Sequence, residues 1–135
     1  MFVFDNERPI YLQIVELIKL DIISGKINKG DKLLSVREYA LLYKVNPNTM
    51  QKALLELERE KLIYTERTNG KYVTLDEDLI NQIKNKYIDD KLNSLILEMN
   101  NIGLDINNII EKLKKVAGIY SFSVVDKTNS NIICI

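Results

Sequence analysis

The sequence of 135 residues contains no histidine, a single cysteine and no glycine-rich loop that could hold phosphate. Most catalytic and metal sites are built from such residues and motifs. The adjacent carboxylates Asp89 and Asp90 do not replace them, because neighbours on a helix point about 100° apart. We therefore predict that the protein is not an enzyme and that it holds no cofactor and no metal.

Long apolar runs are absent as well, so no segment approaches the length of a membrane span. Residues 1–7 lack the basic stretch that begins a signal peptide. Cys134 has no partner for an internal disulfide, which fits a reducing compartment; a disulfide across a dimer is left open. We expect a cytoplasmic protein without a membrane partner, and 46% hydrophobic residues are ample for a packed core.

The chain also lacks net charge, because 19 Lys and Arg balance 19 Asp and Glu. No global field therefore attracts it to nucleic acid. Residues 1–75 hold 12 basic and 10 acidic residues, whereas the remainder holds 7 and 9. If DNA is the partner, affinity must depend on where individual Lys and Arg side chains are placed.

A helix is predicted to begin sharply at residue 47. Asn46 suits the N-cap and Pro47 suits the first helical position, where a missing N–H costs nothing. Apolar residues then recur at i, i+3, i+4 and i+7, which predicts a face that packs on a core. These residues are Met50, Ala53, Leu54 and Leu57.

The opposite face of this helix carries Asn48, Gln51 and Lys52. Amide side chains can bond an adenine edge in the major groove of DNA, and lysine can reach guanine or phosphate. A solvated amphipathic helix is the alternative, because polar helix faces are common. The elements on either side of the helix favour the DNA interpretation.

Two helices are predicted before it. The first covers about residues 9–24, and the second, about 36–43, begins with a capping box formed by Ser35 and Glu38. Only Lys44 and Val45 separate the second helix from the cap of the third. This is the spacing of a helix-turn-helix.

A hairpin is predicted after the third helix. Two stretches rich in strand formers, 62–66 and 71–75, flank a turn whose Asn69-Gly70 pair predicts type I′ geometry. The tip of this wing carries Arg67, Asn69 and Lys71. Residues 1–75 therefore predict a winged helix-turn-helix domain.

Residues 76–135 predict a small helical dimerisation region in a mostly helical α+β protein. A long amphipathic helix runs to residue 102, Gly103 ends it, and Asp105 caps a second helix. Two helices cannot bury both apolar stripes alone, which argues for a homodimer. The predicted interface residues are Ile83, Tyr87, Ile88, Leu92, Leu95, Met99, Ile106, Ile109, Ile110 and Leu113. The apolar tail, 119–125 and 131–135, predicts a terminal β-hairpin.

The chain from residue 9 to 73 resembles the GntR group of bacterial transcription regulators, specifically its small YtrA-like branch. That branch follows the winged domain with only two dimerisation helices, and the remaining length fits. The matching pieces are Gly30-Asp31, Ser35-Val36-Arg37-Glu38 with Ala40, residues 45–49, Ala53-Leu54, residues 57–60 and 62–64, and Gly70 before Tyr72-Val73.

The resemblance implies that Arg37 touches DNA, that residues 46–51 enter the major groove, and that Gly70 lets the wing approach the minor groove. Arg37 could instead be an ordinary first-turn residue, and Gly70 could serve only the turn. Thr49 suits a phosphate contact, and Asn46 could be occupied by capping. The predicted DNA-binding residues are Ser35, Arg37, Asn46, Pro47, Asn48, Thr49, Gln51, Lys52, Arg67, Asn69, Gly70 and Lys71.

The function predicted from these features is a homodimeric, sequence-specific transcription regulator of double-stranded DNA. We predict that it is a repressor that occupies an inverted-repeat operator, and the resemblance implies control of a neighbouring transporter operon. The alternative is a winged-helix module that binds protein rather than DNA. No convergent polar set identifies a small-molecule effector.

Overall fold

The computed structural model describes residues 3–118, 123–125 and 132–134, and it divides into two compact units, Met1–Lys86 and Tyr87–Ile135. No helix in these residues is long and apolar enough to cross a membrane. The elements are α1 (Ile10–Ile23), α2 (Val36–Tyr43), α3 (Pro47–Arg59), β1 (Ile63–Glu66), β2 (Gly70–Val73), α4 (Glu77–Asn101), α5 (Ile106–Val116), β3 (Ser123–Val125) and β4 (Ile132–Cys134).

The predicted helix starts are confirmed. Ser35 Oγ accepts a hydrogen bond from the Glu38 amide at 3.1 Å, and Glu38 Oε1 accepts one from the Ser35 amide at 3.0 Å. Asn46 Oδ1 accepts from the Asn48 amide at 2.8 Å, and Pro47 opens α3. These caps satisfy backbone amides that have no partner inside the helix.

The core of the first unit is formed by α1, α2, α3 and the base of the hairpin. The predicted inner face of α3 is confirmed, because Met50, Ala53, Leu54 and Leu57 are all 0% exposed. Gln13 is the buried polar residue of α1, and its side-chain amide bonds the backbone of Asp5 and Arg8. The core therefore holds α3 rigidly, with its outer face free.

The sharp turn between α2 and α3 depends on Lys44. Its backbone is left-handed, with φ of 56°, and the next amide, of Val45, donates to the Ala40 carbonyl at 3.0 Å. Glycine or asparagine is the usual residue for this conformation. The spacing predicted the tight turn, but nothing in the sequence marked Lys44 as its left-handed residue.

The hairpin is confirmed, but the type I′ turn was wrong. Strand register pairs Glu66 with Gly70, which leaves a three-residue loop, and the Asn69 amide donates to the Glu66 carbonyl at 3.3 Å. Apart from glycines, only Lys44 and Lys61 have positive φ in the described residues, so Asn69 does not. The longer loop needs positive φ at Gly70 alone, where it is 106°.

A third extended segment, residues 31–33, lies along the free side of β2. The Leu33 amide donates to the Lys71 carbonyl at 2.8 Å, and the Val73 amide donates to the Asp31 carbonyl at 2.9 Å. An isolated antiparallel bridge joins Lys32 to Tyr72. The sequence predicted only a polar connection here. The wing therefore has one more paired extended segment than expected.

The start of α4 belongs to the first unit, although the sequence predicted a boundary near residue 75. Ile80 and Ile83 are partly buried against the core of the winged domain. Ile83 was predicted to face a second protomer, and part of its surface is instead used inside its own chain. Only the remaining exposed fraction is available to a partner.

In the second unit, Gly103 ends α4 with φ of 93°, and Asp105 caps α5 through the Asn108 amide at 2.8 Å. Both features confirm the prediction. Ile109 is 4% exposed, so little of it is left for a partner. Tyr87, Leu95 and Met99 are half-buried. The exposed predicted interface residues are Ile88, Leu92, Ile106, Ile110 and Leu113. The terminal hairpin is confirmed by the antiparallel pairing of β3 with β4; its predicted turn at 126–130 lies outside the described residues.

Candidate nucleic-acid interface

The first turns of α3 present amide side chains to solvent. Asn48 and Gln51 are exposed and make no side-chain hydrogen bond in the described part of the chain. Asn46 is exposed too, but its side-chain oxygen is occupied by capping. Thr49 is half-buried beside Met50, which suits a contact close to the backbone. Asn48 and Gln51 are therefore the side chains best placed to form bonds with base edges.

Lys52 is exposed and lies one residue beyond Gln51. Its ammonium group stands 4.1 Å from the centre of the Tyr11 ring, which is a cation–π contact between α3 and α1. Tyr11 holds the lysine without neutralising its charge. A contact between separate helices leaves no local signal in the sequence, so the pairing of Tyr11 with Lys52 is visible only in the fold.

Arg37 projects from the first turn of α2. It is exposed and forms no ion pair or hydrogen bond in the described residues. The backbone hydrogen bond from Ser35 is the main cause that lowers the pKa of Glu38, so this capping carboxylate stays ionised. Ser35 Oγ accepts one hydrogen bond there, and its hydroxyl proton remains available to an external acceptor such as phosphate.

The predicted DNA-binding residues of the wing differ in exposure and in their internal partners. Arg67 is exposed at the tip without an ion pair in the described part, and Asn69 bonds Glu66 at 3.3 Å. Lys71 is turned toward α3: its ammonium donates to Thr65 Oγ1 at 2.8 Å and lies 3.6 Å from the Glu58 carboxylate. Lys71 is thus engaged inside the protein, whereas Arg67 is free to meet a ligand.

Lys32 is a further basic residue on this side of the domain, and no local sequence pattern indicates its position. Its segment pairs with β2, and its Cε would lie 3.4 Å from a Cβ placed on Gly70. Lys32 is exposed and forms no ion pair within the described residues, and its charge helps lower the pKa of Glu38. It therefore adds a cation between the start of α2 and the wing. Only the non-local pairing of residues 31–33 reveals this position.

The charges of the first unit are distributed unevenly despite the neutral total. Lys19, Arg8 and Arg59 form ion pairs with Glu60, Glu16 and Glu56 on α1 and the second half of α3. Three basic residues near the start of α2 and in the wing lack such pairs in the described residues, whereas Lys71 of the wing pairs with Glu58. The three are Lys32, Arg37 and Arg67. Cations without an ion-pair partner can bind phosphate and exposed amides can read base edges, so a domain that presents both suits DNA recognition.

A tight helical turn, an exposed second helix of that pair and a following wing define a winged helix-turn-helix DNA-binding domain. The family model for bacterial regulatory proteins, gntR family, matches residues 10–73. No cluster of His, Cys, Asp or Glu that could hold a metal occurs in the described residues.

Two regulators of Bacillus subtilis (strain 168) are similar over most of their length. YhcF is 34% identical over 111 residues, which cover 82% of this chain and 92% of YhcF. The transcriptional repressor YtrA is 36% identical over 118 residues, which cover 83% of this chain and 87% of YtrA.

The same likeness extends to solved structures. A GntR family transcriptional regulator from Listeria monocytogenes is 45% identical with a TM-score of 0.80, covering 83% of this chain and 98% of that one. The chain therefore belongs to the GntR family of bacterial transcription regulators and carries its DNA-binding domain.

Proposed function

We propose that the protein is a homodimeric repressor that binds an inverted-repeat operator. The observation that supports DNA recognition is the exposed first half of α3, where Asn48 and Gln51 have no side-chain hydrogen-bond partner among the described residues. Lys52 on α3 and Arg37 on α2 supply exposed positive charge. In the free protein water solvates these exposed groups, and base edges and phosphates can replace that water as hydrogen-bond partners.

The proposed dimer is supported by the surface of the second unit. No residue of α4 is fully buried, although the helix is 25 residues long. Its apolar stripe includes Ile88 and Leu92, 42% and 51% exposed, and α5 adds Ile106 and Leu113, 52% and 50% exposed. Apolar area of this extent is covered most simply by a second copy in two-fold symmetry.

The two-fold symmetry of the proposed dimer predicts the symmetry and the half-site spacing of the operator. Two copies of α3 related by such an axis meet two half-sites about 34–36 Å apart, or a multiple of that distance, and in opposite orientation. Control of a transporter operon rests on the resemblance to the YtrA-like branch, and the repressor role on the name of the relative YtrA. The chain offers no basis for naming an effector.

The test begins with selection of duplexes by the full-length protein from a random-sequence pool. We expect enrichment of a sequence with inverted symmetry. Affinity for the enriched duplex should then fall steeply with salt, with a slope of about −0.9 for each phosphate neutralised. A scrambled duplex of equal length is the control, because it keeps the phosphates and loses the sequence.

A protein-binding module is the competing function. The exposed apolar residues Leu41 and Leu42 of α2, 74% and 50% exposed, are the observation in its favour. Such a module would enrich no sequence and would show no salt-dependent duplex binding. That result would refute the proposed function.

A further inference from the structure

Three polar side chains join the wing to α3, and we call them the wing clasp: Glu58, Thr65 and Lys71. The Thr65 hydroxyl donates to Glu58 Oε1, and the Lys71 ammonium donates to Thr65 Oγ1 at 2.8 Å. The same ammonium lies 3.6 Å from Glu58 Oε1. One carboxylate on α3 is therefore tied to both strands of the wing.

The clasp lies at a part of the wing that the apolar core does not hold. The base of the hairpin is fixed by Ile63 and its register partner Val73, which are 1% and 0% exposed. Thr65 and Lys71 are paired two residues further out, one pair before the loop. Residues 31–33 brace β2 at this level by backbone hydrogen bonds, but β1 lies on the other side of β2. Because narrow sheets can twist and bend, the β1 side needs another attachment if the tip is to have a fixed direction.

Partial burial makes this attachment stronger than an ordinary surface pair. The Lys71 and Glu58 side chains are 16% and 28% exposed, whereas the pair between Arg8 and Glu16 is 50% and 55% exposed. Water screens partly buried charges less, and Lys71 without Glu58 would be a poorly solvated ammonium with a single hydroxyl partner.

We propose that Glu58 is a positioning residue that sets the direction of the wing relative to α3. In this arrangement Lys71 is an internal support, and the DNA contacts of the wing are made by Arg67 and the backbone near Gly70. The inference rests on the proposed DNA binding. It assigns to Glu58 and Lys71 a role in selectivity without direct contact to bases.

The test uses full-length E58Q, K71M and the double variant. E56Q is the matched control, because it removes the same charge from the same helix while its partner, Arg59, lies on α3 and not on the wing. Two quantities are measured for each protein: the midpoint of thermal unfolding, and the ratio of affinities for the enriched and the scrambled duplex.

We expect E58Q to lower the affinity ratio about tenfold, on the scale of losing one local DNA contact. E56Q should leave the ratio unchanged, although both variants make the protein more positive by one charge. K71M should lower the affinity ratio by a similar factor. The double variant should have the same ratio as the single variant with the lower ratio, because both changes release the same clasp. Hydroxyl-radical footprints should lose protection at the wing and keep it at α3.

Four results would overturn the inference. An additive double variant would show that the two residues act separately. A K71M variant that reduces the salt slope by about 1, beside an unchanged E58Q, would make Lys71 a phosphate contact. Equal losses of affinity for both duplexes, with a lower unfolding midpoint, would make the clasp purely structural. An E58Q ratio equal to that of E56Q would remove any role in selectivity.

Failure of the proposed function can be distinguished from failure of the wing clasp. If the unaltered protein enriches no duplex, the proposed function is refuted, and the clasp is judged by unfolding midpoints alone, where additive shifts would disprove it. If E58Q does not fold, T65V tests the same attachment, because valine keeps the shape and removes the hydroxyl. T65V should reproduce the loss of the affinity ratio, and an unchanged ratio would refute the clasp.

Discussion

Replacing Leu92 with alanine should weaken the proposed dimer without unfolding the protomer. Leu92 lies on the apolar stripe of α4 and is 51% exposed in the single chain. Because it is in the interior of a helix that has no fully buried residue, its truncation leaves no internal cavity. Alanine also has a slightly higher helix propensity than leucine, so α4 itself should be retained.

The magnitude follows from the exposed fraction. Full burial of a leucine side chain stabilises by about 1.5–3 kcal/mol, so covering the exposed half contributes about 0.8–1.5 kcal/mol for each protomer. A two-fold interface contains the residue twice, and L92A should therefore cost up to about 1.5–3 kcal/mol for each dimer. The dissociation constant of the dimer should rise roughly 10- to 150-fold.

Sedimentation velocity over a dilution series measures this constant. L97A is the matched control, since Leu97 is 62% exposed on the same helix but lies about 140° around the axis from Leu92. We expect L97A to dissociate like the unaltered protein. Equal behaviour of the two variants, or an unaltered chain that is monomeric at micromolar concentration, would refute the dimer and the stripe that predicts it.

Three further changes test the DNA-binding surface and its core. R37A should weaken operator binding by about 1–3 kcal/mol with an unchanged circular dichroism spectrum, because Arg37 is exposed and outside the core; undiminished binding would remove it from the interface. Q51A should relax the preference at one base position in a repeated selection, whereas an equal loss on all sequences would indicate a backbone contact. Burial, with smaller effects of Tyr39 and Asp21, raises the pKa of Tyr43 to about 12. Its pKa in the unfolded chain is about 10, so the folded state binds the proton more tightly and the free energy of unfolding should fall as pH rises from about 10 to 12. Y43F should flatten that fall in denaturant titrations, and an unchanged slope would contradict the assignment.

The helices and their ends were determined by local sequence. Asn46 with Pro47, and Ser35 with Glu38, are capping signals whose partners lie within three residues, and the structure forms each of these bonds. The spacing of Met50 to Leu57 likewise fixed which face of α3 is buried. Interactions of this kind depend on neighbours in the chain, so pattern and chemistry were sufficient to predict them.

Tertiary structure alone decided how the wing is built. Residues 31–33 pair with a strand about forty residues later in the chain, which brings Lys32 beside Gly70. Lys71, predicted as a DNA contact, turns inward because Glu58 on α3 offers a carboxylate. Backbone hydrogen bonds and ion pairs between distant residues depend on the packed arrangement of several elements, and neither spacing nor composition encodes that arrangement locally.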